Sequence, residues 1–195
     1  MKFKKALFII DVQNDFCPGG ALAVPEGDKI VSVINKYIKI FHRQQLPVFA
    51  SADWHPKNTK HFKKFGGVWP VHCVQNTKGA DIHPKLKLSK RAILLYKGMD
   101  LLEENSYSAF YAKNQNGMSA ADLLKNFGIK EIYLCGLATD YCVKWTAIDA
   151  LKNGFKVKLL MDAIKGVNLK PFDSENAIKE MTGMGAAKLT LKEIE

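Results

Sequence analysis

The sequence predicts an α/β fold: a doubly wound, mainly parallel six-stranded sheet with helices on both faces. Three observations predict it. Short runs dense in Ile, Leu, Val and Phe recur along the chain, amphipathic segments separate them, and the runs show little internal alternation of apolar and polar residues. Strands alternating with helices build parallel sheets, and strands covered on both faces need apolar side chains on both sides.

The predicted strands are Ala6 to Asp11, Val48 to Asp53, Ala92 to Lys97, Glu131 to Gly136, Lys156 to Met161 and a short one near Ala187 to Thr190. From Lys29 to Gln45, the residues Ile30, Ile34, Tyr37, Ile38 and Phe41 recur at helical spacing, and Pro47 ends the segment. Ser119-x-x-Asp122 opens a second helix in the manner of a capping box, and Gly128 closes it. A third begins near Thr139-Asp140, either of which can cap it. It turns Val143, Ala147, Ile148 and Leu151 inward and stops at Gly154. A last helix starts at Asp173-Ser174. No repeat, linker or low-complexity tract interrupts this order, so residues 1–195 are expected to form one domain around one core.

Composition excludes several classes. No apolar run approaches the ~20 residues of a membrane helix, so no membrane partner is expected. The start, Met1-Lys2-Phe3-Lys4-Lys5, resembles a leader, but the apolar stretch behind it is short and runs into Asp11 and Asn14. The net charge of +10 comes from 29 basic and 19 acidic residues. The lysines are scattered without interleaved aromatics, which reads as a solvated basic surface and not as a nucleic-acid site. The cysteines Cys17, Cys73, Cys135 and Cys142 form no CxxC pair. Free thiols in a reducing, cytoplasmic setting are therefore expected.

Open α/β sheets place ligands at the carboxyl ends of their strands. Here Asp11, Asp53 and Lys97 end predicted strands, and the strand ending at Cys135-Gly136 leads into Cys142. Cys142 falls in the first turn of a predicted helix, where dipole and unpaired N–H groups favour a thiolate and can hold an oxyanion. Asp11 can take its proton, and the Lys97 ammonium would keep both groups ionised. Cys135, on the apolar strand, is expected to be inert.

A second cluster occupies Trp54 to Ser89, a long stretch without a convincing strand or helix that holds four of the five histidines. Asp53, His55, His61 and His72 make a carboxylate-imidazole set suited to one divalent metal ion such as zinc, iron or manganese, with Cys73 a competing ligand. His42 and His83 lack such company and read as surface residues.

These residues are ordered as Asp11-Val12-Gln13-Asn14-Asp15-Phe16, Asp53-Trp54-His55-Pro56 with His61, Trp69-Pro70-Val71-His72-Cys73, Lys97-Gly98, Ser106-Tyr107-Ser108-Ala109-Phe110 and Gly136-Leu137-Ala138-Thr139-Asp140-Tyr141-Cys142-Val143. In this the chain resembles the nicotinamidases (pyrazinamidases) of the isochorismatase-like cysteine hydrolase superfamily. The resemblance implies a catalytic triad of Asp11, Lys97 and Cys142, and a cis Leu137–Ala138 peptide aiming the amides of Ala138 and Cys142 at an oxyanion. It implies metal ligation by Asp53, His55, His61 and His72, and a ring pocket walled by Phe16, Leu22, Trp69 and Tyr107. The expected reaction is hydrolysis of nicotinamide to nicotinic acid and ammonia in NAD salvage, with pyrazinamide as a further substrate. The expected partner is that small molecule, with homo-oligomerisation left open. Two departures stand out: Asn105 where many relatives carry Asp, and Asn76 where Gly is frequent. The rival readings are an amidase of the same superfamily for carbamoyl or ureido compounds, and a non-catalytic metal- or nucleic-acid-binding module.

Overall fold

Six strands form one sheet in the order β3-β2-β1-β4-β5-β6. They are β1 (Lys5–Ile10), β2 (Val48–Asp53), β3 (Ile93–Lys97), β4 (Glu131–Leu137), β5 (Lys156–Lys165) and β6 (Ala187–Leu189). Every pairing between neighbours is parallel. The computed structural model describes residues 2–102 and 106–194. The chain winds outward from β1 to β3, then returns to lay β4 on the other side of β1. The switch point of the doubly wound sheet therefore falls between the carboxyl ends of β1 and β4.

Among the described residues, four helices cover the sheet: α1 (Ile30–Arg43), α2 (Ala120–Asn126), α3 (Lys144–Lys152) and α4 (Asp173–Gly183). Successive side chains of β1 serve opposite cores, as a period of two requires. Leu7 and Ile9 pack with Ile34, Tyr37, Ile38 and Phe41 of α1. Ala6, Phe8 and Ile10 pack with Leu124 of α2, Ala147 of α3 and Met181 of α4. Each large side chain so buried contributes about 1.5–3 kcal/mol before the entropy of ordering it is charged.

The strand limits differ from the sequence reading at several ends. Asp11 lies just past β1 with φ of 48°, so its side chain leaves the sheet's alternation and turns over the strand end. The fifth strand extends to Lys165, because an irregularity opposite Leu134 and Gly136 lets pairing with β4 continue to its end. Ser119 caps α2 as expected, accepting from the Asp122 N–H at 3.1 Å, and Gly128 follows at φ of 74°. Neither Thr139 nor Asp140 caps α3. That segment starts as a π-helical turn over Thr139–Val143, with Ala138 at the cap position and no side-chain cap. Asp140 instead accepts from the backbone N–H groups of Val167 (2.9 Å) and Asn168 (2.7 Å), tying the loop after β5 to the turn that carries Cys142.

The stretch from Trp54 to Ser89 has local order of its own. Parallel bridges join His55 to Val74 and Phe62 to Trp69, and 3₁₀ turns span Lys63–Phe65 and Lys78–Ala80. Gln13 fastens it to the sheet: its side chain accepts from Asp53 N and donates to Asp53 O and Ala80 O, each at 2.8 Å. Asp15 Oδ2 accepts from Cys73 N at 2.7 Å. Asn76 adopts φ of 62°, a conformation glycine takes without cost and asparagine tolerates better than most residues. Asn105 lies outside the described residues. No helix among the described residues is long and apolar enough to cross a membrane.

Candidate active site

At the carboxyl ends of β1 to β4 the chain gathers charge that a buried sheet cannot otherwise carry. Asp53 and Lys97 are register partners at the ends of β2 and β3. The Lys97 ammonium hydrogen-bonds Asp53 Oδ1, lies 3.0 Å from Asp11 Oδ2, and donates toward Cys142 Sγ at 3.5 Å. Ser51, two residues before Asp53, donates its hydroxyl to Asp11 Oδ1 at 2.7 Å. Asp11, Lys97 and Cys142 are all buried, so the three predicted triad members meet in a dry site.

Burial dominates their titration. It pushes the Asp11 carboxyl up, with Lys97 opposing and Asp53 reinforcing. Burial also works against ionised Asp53, but Lys97 and His55 outweigh it and hold that carboxyl well below its usual range. Lys97 loses basicity to burial and regains more from Asp11 and Asp53, ending well above an ordinary lysine. For Cys142, burial and the two carboxylates raise the thiol far above its usual value despite Lys97. Burial at this position therefore works against the thiolate that the sequence suggested. A π-helical turn buried against two carboxylates does not act as the open helix N-terminus that the sequence suggested. What the geometry supplies is a thiol beside a carboxylate whose proton affinity is raised, a pair suited to exchanging one proton.

The turn around Cys142 is held from behind. Thr146 donates its hydroxyl to the Cys142 carbonyl at 2.6 Å and accepts from Ala109 N at 2.9 Å. The Leu137–Ala138 peptide is cis, as the resemblance implied. Gly136, at φ of 115°, brings β4 so close to β1 that a Cβ there would meet the Ile10 carbonyl oxygen at 2.1 Å.

Facing this group, His55, His61 and His72 each place a ring nitrogen within 4.8 Å of the others. His55 Nδ1 lies 3.0 Å from the Gly98 carbonyl and His72 Nδ1 2.8 Å from the Pro70 carbonyl. A nitrogen facing a carbonyl carries the proton, which leaves each Nε2 with a free lone pair. Asp53 Oδ2 stands 3.6 Å from His55 Nε2 and 3.9 Å from His72 Nε2. The buried His55 Nε2 has no hydrogen-bond partner, and burial lowers His72 to about 4, so it is neutral near neutrality. Converging imidazoles, a nearby carboxylate and an orphaned buried nitrogen fit a divalent cation. Cys73 does not join this cluster: its side chain packs in the α1-side core while its backbone bonds Asp15 and His55. His42 and His83 are partly buried instead of on the open surface; His42 Nε2 lies 3.2 Å from Ser89 Oγ.

Between the two clusters lies a narrow pocket with about 30 Å³ of free space. Phe16, Leu22, Trp69 and Tyr107 wall it, and Asp53, His61, His72, Ala138 and Cys142 line it. Trp69 Nε1 donates to the Tyr107 hydroxyl at 3.0 Å, and Tyr141 sets its ring edge-on to Trp69 at 4.9 Å. Ser106, Tyr141 and Val167 complete the wall and were not foreseen as lining residues. Ser106 and Tyr141 stood inside the recognised motifs. Val167 carried no local signal, because Asp140 positions it across 27 residues of chain.

A thiol, a carboxylate and an ammonium at the switch point of this sheet, opposite a histidine cluster, define a class of hydrolase. The chain belongs to the isochorismatase family, whose isochorismatase domain matches residues 5–193. Within it, the nicotinamidase of Escherichia coli is 43% identical over 98% of this chain and 97% of its own. Pyrazinamidase of Pyrococcus horikoshii, solved in complex with zinc, superposes with a TM-score of 0.89 at 44% identity, covering 97% of this chain and 100% of that one. The PnC1 protein of L. infantum, solved in complex with nicotinate, superposes with a TM-score of 0.83 at 36% identity, covering 97% and 93%.

Proposed function

We propose that this chain, read as one domain over residues 1–195, is an amidohydrolase that converts nicotinamide to nicotinic acid and ammonia in NAD salvage, and that it acts on pyrazinamide as well. One observation carries the reading: Cys142, backed by Asp11 and Lys97, lines an aromatic-walled pocket that is also lined by His61 and His72 of the histidine cluster. The nicotinamidase and pyrazinamidase relatives support the substrate.

In the mechanism, Asp11 takes the proton of Cys142 as sulfur attacks the carboxamide carbon. Lys97 offsets the negative charge that would otherwise accumulate beside Asp53. The backbone amides of Ala138 and Cys142 hold the oxyanion. Asp11 returns its proton to the leaving nitrogen, ammonia departs, and a thioester remains on Cys142. Asp11 then deprotonates a water that attacks the thioester carbon, and the thiol leaves with the proton as nicotinic acid forms. Ser51 keeps Asp11 aimed through both halves. Asp53, His55, His61 and His72 would hold a divalent metal ion, which when bound supplies a Lewis-acid contact for the ring nitrogen. This mixed oxygen and nitrogen donor set suits zinc, iron or manganese. Free, buried cysteines support a cytoplasmic working place.

The test is ammonia release from nicotinamide, pyrazinamide, benzamide and a ureido compound, before and after chelation. Release from the two azine amides that falls on chelation is expected. Turnover of the ureido compound alone, untouched by chelation, would replace this reading with the carbamoyl-amidase one.

A further inference from the structure

Among the described residues, four buried side-chain atoms lack a hydrogen-bond partner: Asp11 Oδ2, His55 Nε2, Ser106 Oγ and Ser174 Oγ. Buried polar atoms are nearly always paired, so each calls for an explanation. Asp11 Oδ2 has the Lys97 ion pair and the proton-transfer role, and His55 Nε2 has the cation. Ser106 is 7% exposed, lines the same pocket, and has neither.

Its position is informative. A Cβ on Gly98 would lie 2.3 Å from His55 Cε1 and 2.9 Å from Ser106 Oγ. The Ser106 hydroxyl and the His55 ring thus converge on the space that Gly98, at φ of 66°, leaves open. The ring edge nearest that space is Nδ1–Cε1, the one anchored on the Gly98 carbonyl. The hydroxyl lines the same pocket as Asp53, His61 and His72, three of the four candidate ligands. Asp53 and three imidazoles leave room on a divalent ion for a water, and such a water needs hydrogen-bond acceptors or donors around it.

We propose that Ser106 is a positioning residue of the cation site: its hydroxyl hydrogen-bonds a water carried on an open position of the ion. The proposal rests on the reading of Asp53, His55, His61 and His72 as the ligands. An outer-shell partner of this kind typically tunes metal affinity 10- to 100-fold.

The experiment uses the cobalt-loaded full chain and two variants, Ser106→Ala and Ser106→Thr. The alanine variant should release cobalt to a chelator roughly tenfold faster and show shifted visible d–d bands, and threonine, which keeps the hydroxyl, should restore both. Unchanged bands and release rate in Ser106→Ala overturn the proposal while leaving the cation site intact. Failure of the wild type to bind cobalt or zinc overturns the site itself, and the proposal with it. Should the alanine variant not fold, a crystal structure of the zinc-loaded wild type decides. A zinc-bound water within hydrogen-bond distance of Ser106 Oγ supports the role, and none there overturns it.

Discussion

The ammonium of Lys97 lies 3.5 Å from Cys142 Sγ, and it is the cation that the buried Asp11 and Asp53 share with that thiol. Two carboxylates and a nucleophilic sulfur cannot all carry charge in one dry cavity without it. Lys97→Met should therefore do more than remove a contact. One carboxylate should take up a proton, and amide turnover should fall by about 10²-fold or more. Breaking a buried pair this way costs about 3–5 kcal/mol. Ammonia-release kinetics and chemical denaturation of the same preparation check both; wild-type turnover with unchanged stability would remove Lys97 from the mechanism.

Cys142→Ala should abolish hydrolysis of nicotinamide while the protein still takes up one equivalent of divalent metal. In the proposed mechanism sulfur makes and breaks the acyl bond, whereas the imidazoles form a separate cluster. Metal analysis and turnover on one sample settle the matter. An active alanine variant contradicts the thioester route.

Gly98→Ala is a sharper probe of the histidine cluster than replacing a ligand. The added methyl would stand 2.3 Å from His55 Cε1, on a backbone at φ of 66° that alanine resists. It should push the ring off its carbonyl anchor and weaken metal retention and substrate binding together. His55→Ala should produce the same phenotype more strongly. Unchanged metal content and KM in both variants would refute the ring-anchoring role of the cluster.

The metal-free protein should lose stability as the medium becomes acidic. Burial holds His72 at about 4, below its ordinary 6.5. The unfolded chain therefore takes that proton more readily, and the contribution is complete above pH 6.5 and drains away as pH falls through 4. The loss is on the order of 3 kcal/mol. The held-down carboxyl of Asp53 acts in the same direction at still lower pH. Urea midpoints from pH 7.5 to 4 should fall more steeply for the wild type than for His72→Asn, and parallel curves would contradict the assignment.

Much of the site was legible in the chain because its chemistry sits where strands end. Apolar runs stopping at Asp53 and Lys97, and a third stopping beside Asp11, mark one edge of a parallel sheet whatever the order of its strands. The motif around Cys142 and the spacing of His55, His61 and His72 pointed to thiol and metal chemistry before any distance was known. The sequence by itself determined the strand-helix alternation, the residue types at the strand ends, and the membership of the cluster. Only the tertiary structure decided the burial of the Cys142 thiol, the packing of Cys73 away from the histidine cluster, and the places of Ser106 and Val167 in the pocket wall. Those depend on burial and on contacts between segments far apart in the chain, such as Asp140 with Val167 and Gly98 with His55. A linear pattern carries which groups are present; the dielectric around them and the atoms they face exist only once the chain has closed on itself.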